Sequence, residues 1–226
     1  MENLKIRRRR LNYLLPSEGI NILNRMVGKT INKFMLGTRY LSKEFFLERS
    51  HVKSISELIY KSQGGPFLIS CEQGKAVIFY DDDFLGAVVF RKLDLDIDDD
   101  RFFEVLELED KIGVRGSVKN AIDLSVGFDL VGKVIEKVAI YKLPINFIRD
   151  PHVYDLLNEC VLCFGVRDAG DILLVCEITE DGGPSDIRVS TWERLDKKIA
   201  RYLTCIWSSS SGALAHGVDY VSSTCT

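Results

Sequence analysis

Two short stretches 104 positions apart set the tightest limit on how this chain can fold. Met26-Val27-Gly28-Lys29-Thr30-Ile31-Asn32-Lys33 matches Leu130-Val131-Gly132-Lys133-Val134-Ile135-Glu136-Lys137 in Val, Gly, Lys, Ile and the final Lys, with Met26 and Leu130 a conservative pair. Apolar lead-ins precede both, Ile20 and Ile22 in one and Leu124 and Val126 in the other. The order of signals after each copy is also the same. In the first, Ser54-Ile55-Ser56-Glu57 is a capping box, Ile55, Leu58 and Ile59 share a helical face, and Gly64-Gly65-Pro66 stops the helix. A hairpin reading follows, from Phe67 to Cys71, a turn at Gln73-Gly74, and Ala76 to Tyr80. In the second, Asp150 caps a helix with Pro151 at its first position, and a hairpin runs from Cys160 to Val166, through Asp168-Ala169-Gly170, to Ile172–Ile178.

The expectation is an α+β, β-rich fold of two diverged strand-helix-hairpin repeats with mainly antiparallel sheets. Its parts are a basic N-terminal segment (1–16), a first repeat (17–113), a second repeat (114–207) and a flexible tail (208–226). Between the hairpins, Ala87–Phe90 reads as a buried strand, and Leu93–Asp98 alternates apolar and acidic residues. Near the end, Ser190-Thr191-Trp192-Glu193 has the form of a capping box. Trp192, Leu195, Ile199, Tyr202, Leu203 and Ile206 recur at helical spacing, which predicts a C-terminal amphipathic helix packed on a sheet.

A chain of 226 residues that is 46% hydrophobic and 28% charged has enough apolar material for a sizeable core. Its net charge of −3 supplies no global cationic surplus for nucleic-acid binding. The four-arginine run Arg7–Arg10 has no aromatic or glycine motif beside it and reads as a solvated end. No apolar run is long enough to span a bilayer, and Met1–Leu15 lacks the apolar core of a signal peptide, so a cytoplasmic location is expected. The six cysteines lie mostly in apolar stretches, which fits reduced thiols used as small hydrophobes.

Each chemical motif falls short on its own terms. Gly28-Lys29-Thr30 lacks the earlier glycine of a phosphate-binding loop, since Leu23 stands there. Cys160 and Cys163 form half a zinc site without a second pair, and in a strand they point to opposite faces. Counting from Asp94, an EF-hand would need Gly at position 99 and Glu at 105, which are Asp99 and Val105. The strand from Asp171 to Glu177 lacks the lysine of a metal-dependent nuclease core. No catalytic residue, metal ligand or cofactor is assigned.

The remaining signal is an acidic band beside apolar strands: Asp81–Asp83, Asp94, Asp96, Asp98, Asp99, Asp100, and then Glu104 to Asp110. It fits a protein-binding module, of the immunity or neutralising kind, that covers a basic protein through Asp94, Asp96, Asp98, Asp99 and Asp100, with Phe102 and Phe103 (and Phe84) as aromatic anchors. Two competing readings are a structural homo-oligomeric subunit and, behind it, a metal-dependent hydrolase or nuclease.

Overall fold

The computed structural model describes residues 14–38, 67–71, 75–82, 87–93, 120–124, 129–143, 159–178 and 184–210. Their elements are α1 (Ile20–Met26), β1 (Ile31–Thr38), β2 (Phe67–Cys71), β3 (Lys75–Asp82), β4 (Ala87–Leu93), β5 (Asn120–Asp123), β6 (Ile135–Lys142), β7 (Val161–Val166), β8 (Gly170–Ile178), β9 (Pro184–Ser190), α2 (Lys197–Ala200) and β10 (Thr204–Ser210). The protein is β-rich and its sheets are antiparallel. Both expected hairpins form, β2 with β3 and β7 with β8. The helices expected after Ser54 and Asp150 lie outside the described residues.

The strands make two five-stranded sheets, one ordered β4-β3-β2-β1-β5 and the other β9-β8-β7-β6-β10. Substituting β6–β10 for β1–β5 in turn converts one order into the other. The register irregularities coincide as well. β1 slips against β2 between Ile31 and Lys33, and β6 slips against β7 between Ile135 and Lys137.

The sheets pack on a common apolar core. Phe34, Phe67, Phe79 and Phe90 from the first sheet and Phe164 from the second are among the largest fully buried side chains. Phe79 meets Phe90 at 5.7 Å between ring centroids and Phe164 edge-on at 5.6 Å, so aromatic contact runs from one sheet to the other. A cavity of about 10 Å³ between the sheets is lined by Ile31, Phe34, Ile69, Leu130, Phe164, Val166 and Ile172. It is barely water-sized and its lining is apolar, which makes it a packing gap.

Where the two matching sequence stretches meet, the backbone hydrogen bonds come in pairs that exchange on shifting by 104 residues. Gly28 N–H donates to Ile135 O (2.7 Å), and Gly132 N–H donates to Ile31 O (2.9 Å). Ile135 N–H donates to Lys29 O (2.9 Å), and Ile31 N–H donates to Lys133 O (2.8 Å). Thr30 and Val134 form the antiparallel bridge at the centre. Both glycines are left-handed, with φ of 80° and 81°, a conformation that disfavours a Cβ. The shared Gly-Lys pair is therefore a turn at the joint between the two sheets.

The C-terminal amphipathic helix expected over Ser190–Ile206 does not form. Ser190 ends β9, and its hydroxyl donates to Thr191 O instead of capping a helix. Thr191 O accepts from Arg194 and Leu195, Asp196 O accepts from Ile199 and Ala200 at the start of the four-residue α2, and these short pieces lead into β10. Trp192 and Leu195 pack on the core as the stripe requires, but Tyr202 and Ile206 are exposed. The competing force is strand pairing. β10 hydrogen-bonds along β6, whose edge would otherwise be open, and Thr204, Ile206 and Trp207 suit a strand better than a helix. β10 also takes in Ser208–Ser210, at the head of the expected tail.

Candidate functional site

In the absence of a catalytic motif, the features to weigh are the sheet edges, the thiols and the acidic band. An open strand edge offers unpaired amides and carbonyls to another chain, and the edges at β4 and β10 are treated differently. The edge at β4 is closed by the N-terminal segment. Leu14 and Phe90 exchange two backbone hydrogen bonds of 2.9 Å, and Val88 N–H donates to Glu159 O. The segment is fastened further along by Glu159, a carboxylate only 6% exposed. It accepts from Ser17 N–H at 2.8 Å and Ser17 Oγ at 2.5 Å. Gly19 lies against the Phe90 ring so closely that a Cβ there would stand 2.2 Å from Cζ. The residues that lead into α1 thus act as a strap across the first sheet's edge and tie it to the second half.

The edge at β10 is different. Its residues, Thr204-Cys205-Ile206-Trp207-Ser208-Ser209-Ser210, carry no charge. Cys205 pairs with Tyr141 and Trp207 with Ile140, so Ile206 is the extra residue of a bulge. Ile206 is 43% exposed and Tyr202, just before the strand, is 45% exposed. Arg201 sits over the Tyr202 ring at 6.0 Å. Ser209 Oγ donates to Asn24 Oδ1, which anchors the far end of β10 to α1. The sequence pattern assigned Tyr202 and Ile206 to a buried stripe. The signal for their exposure was the run of β-branched, aromatic and hydroxyl residues after Leu203, a strand composition overlaid on helical spacing.

On the outer face of the second sheet, the connection from β9 to β10 supplies a lid. Trp192 stacks edge-on against Tyr141 at 5.0 Å, and its indole N–H donates to Asp171 Oδ2 at 2.7 Å. Asp171, considered above as part of a nuclease core, is therefore held by a structural hydrogen bond. Burial raises the Cys163 thiol well above its usual range, and the neighbouring Asp171 carboxylate pushes the same way. Burial likewise pushes Cys160 up to about 12. Thiols this reluctant to ionise are poor nucleophiles and poor metal ligands. Cys163 adjoins Asp171 on the outer face, while its neighbour Phe164 points into the core between the sheets, as alternation along β7 demands. Among the described residues, no group of three His, Cys, Asp or Glu is placed to hold a metal ion. Among them, too, no helix is long and apolar enough to cross a membrane.

The expected partner-binding residues Asp94, Asp96, Asp98, Asp99, Asp100, Phe102 and Phe103 lie outside the described residues. Their place in the chain is fixed by what flanks them. Residues 94–119 join β4 to β5, which stand at opposite edges of the first sheet. Residues 191–203, the Trp192 lid, make the corresponding connection from β9 to β10 in the second. Comparison of the chain with models of protein families, with curated proteins and with solved structures found no match.

Proposed function

We propose that this protein is a protein-binding module of the neutralising or immunity type, built from two diverged copies of one β-rich unit, that covers a basic partner with the acidic stretch after β4. Asp94, Asp96, Asp98, Asp99 and Asp100 supply charge, and Phe102 and Phe103 supply apolar anchors. The observation that carries this reading is the contrast between the two edge-to-edge connections. The second half makes its crossing in the 13 residues 191–203, whose Asp, Glu, Lys and Arg sum to +2. The first half uses the 26 residues 94–119, whose charges sum to −5. Length and charge beyond what a crossing needs fit a segment kept for recognition. The duplication is supported by the common strand order, the bulge at corresponding residues and the exchange of hydrogen bonds at the joint.

The test starts from material captured from the native cell on the intact protein and released by rising salt. With the released partner in hand, the association rate of a variant carrying Asp98→Lys, Asp99→Lys and Asp100→Lys is compared with that of the parent. Association should slow at least tenfold at low salt, and the difference should shrink as salt screens the field. An equal rate for the two proteins at low salt would overturn the acidic-surface reading.

A further inference from the structure

We propose that residues 5–13 continue the strap as an added strand along β4 and past its end, in the register set by Leu14 and Phe90, so that the chain's own basic run lies against the acidic stretch. Residues 5–13 and 94–99 lie outside the described residues, and the register of the described pair assigns their positions. Leu14 and Phe90 are bridged antiparallel, and each donates its N–H to the other's carbonyl at 2.9 Å. In an antiparallel ladder such hydrogen-bonded pairs recur at every second residue. Two residues back along β4, Val88 N–H donates to Glu159 O, so the same row of edge groups is in use there. Two residues on, the row reaches Lys92, and antiparallel counting sets Asn12 opposite it. β4 runs to Leu93, so its backbone is already extended to receive the ladder.

Counting on in that register sets Leu11 opposite Leu93, Arg10 opposite Asp94, Arg8 opposite Asp96 and Lys5 opposite Asp99. Arg10 lies four residues before Leu14 and Asp94 four residues after Phe90, so the two runs leave the joined pair in the same direction and start at the same distance from it. Opposite charges directly across an antiparallel pair attract, and the two leucines add an apolar pair. Covalent continuity selects the occupant as well. A foreign strand would compete with a segment tethered a few residues away, whose effective concentration is on the order of millimolar. The Arg7–Arg10 run is then a paired segment, and not the solvated end that its composition alone suggests. One consequence rests on the acidic-surface reading above: the run stands in for a basic partner, which must displace it to bind.

Amide-resolved hydrogen exchange on the intact protein tests the register. Asn12, Arg10 and Arg8 should exchange about tenfold more slowly than Leu11 and Arg9, whose amides point away from β4 in this pairing. Asp94→Lys with Asp96→Lys should remove the protection at Arg10 and Arg8, and adding Arg8→Asp with Arg10→Asp should restore it. Fast, even exchange across residues 5–13 overturns the proposal. So does protection that the charge reversal leaves intact, since the two charged runs would then not be in contact. The acidic-surface reading fails on a different measurement, the association rate of the captured partner. A short polyarginine peptide tests the competition. A variant carrying Arg7→Ser, Arg8→Ser, Arg9→Ser and Arg10→Ser should bind it about tenfold more tightly than the parent at low salt. Equal binding by the two proteins overturns the claim that the run covers the acidic stretch.

Discussion

The two halves of this molecule solve one topological problem in two ways. Each must carry its chain from one edge of a five-stranded sheet to the other, about 19 Å at the usual spacing between strands. Thirteen residues can span about 40 Å when extended, so the second half has chain to spare. It uses the surplus for packing. Trp192 and Leu195 settle on the sheet, and Asp171 holds the indole. The first half spends twice the length, in a stretch whose charges sum to −5. Packing on a sheet face rewards apolar residues and penalises unpaired charge, so the two connections differ in composition as well as in length. The difference teaches where to look for function when two halves share one strand order. Features common to both halves are accounted for by the scaffold, and the search narrows to what one half has and the other lacks.

The largest effect tests whether the halves are one cooperative body at all. Phe79 and Phe164 are both fully buried and touch each other across the two sheets. Phe79→Ala and Phe164→Ala should each destabilise by about 3–5 kcal/mol, within a single unfolding transition seen by both circular dichroism and tryptophan fluorescence. Trp192 and Trp207, which both pack on the core from the second half, provide the fluorescence probe. A first-half truncation that leaves the fluorescence transition in place while the far-ultraviolet signal melts early would split the comparison into two independent units.

Much of this scaffold was legible in the sequence, and the reasons differ by element. The hairpins β2–β3 and β7–β8 announce themselves because a continuous apolar run broken by a turn has few other solutions. The joint between the halves was visible only as a repeated Gly-Lys pair. Nothing local says that the two copies hydrogen-bond to each other, because that is a fact about distant backbone. β10 was misread because its apolar residues satisfy helical spacing over Trp192–Ile206, and the choice between helix and strand was made by β6, which needed a neighbour. The closing of β4 by Leu14 and the Ser17–Glu159 link have no sequence signature, since their partners are 76 and 142 residues apart. Of the candidate surfaces, the acidic stretch was readable from charge alone, whereas the place of β10 at a sheet edge among the described residues required the sheet order.

A smaller effect probes the strap, where the halves part company. Positions corresponding to Ser17 and Glu159 by the repeat offset and by the strand pairing are Ala121 and Gly64, neither of which can form such a link. Glu159→Ala should cost about 1.5–3 kcal/mol, the range for a hydrogen bond to a charged group. Ser17→Ala, which keeps the backbone bond from Ser17 N–H, should cost about 1 kcal/mol. Hydrogen exchange supplies the sharper readout. Both variants should speed exchange at Leu14 and Phe90, whose amides pair across the β4 edge, and leave the β7–β8 hairpin protected. Uniform acceleration across the molecule would mean that Glu159 supports the core as a whole and that the strap is no separate device.

The smallest effect bears most directly on the likeness between the halves. Gly28 and Gly132 have nearly the same φ, both are exposed, and at neither would an added Cβ meet any atom within 4 Å. Steric crowding is thus removed from the argument. What remains is the backbone cost of holding an L-residue in the left-handed region, about 1–2 kcal/mol. Gly28→Ala and Gly132→Ala should therefore lower stability by amounts that agree within about 0.5 kcal/mol, read from denaturant midpoints at unchanged slope. The pair of substitutions together should depart from the sum, because each glycine donates into the strand that follows the other, and relaxation at one alters the geometry at its mate. Equal single costs with non-additive pairing are what a joint made of two exchangeable turns requires. A difference of more than about 1 kcal/mol between the single variants would mean that one turn bears the strain and the other follows, and the two stretches would be alike in sequence without being alike in energy.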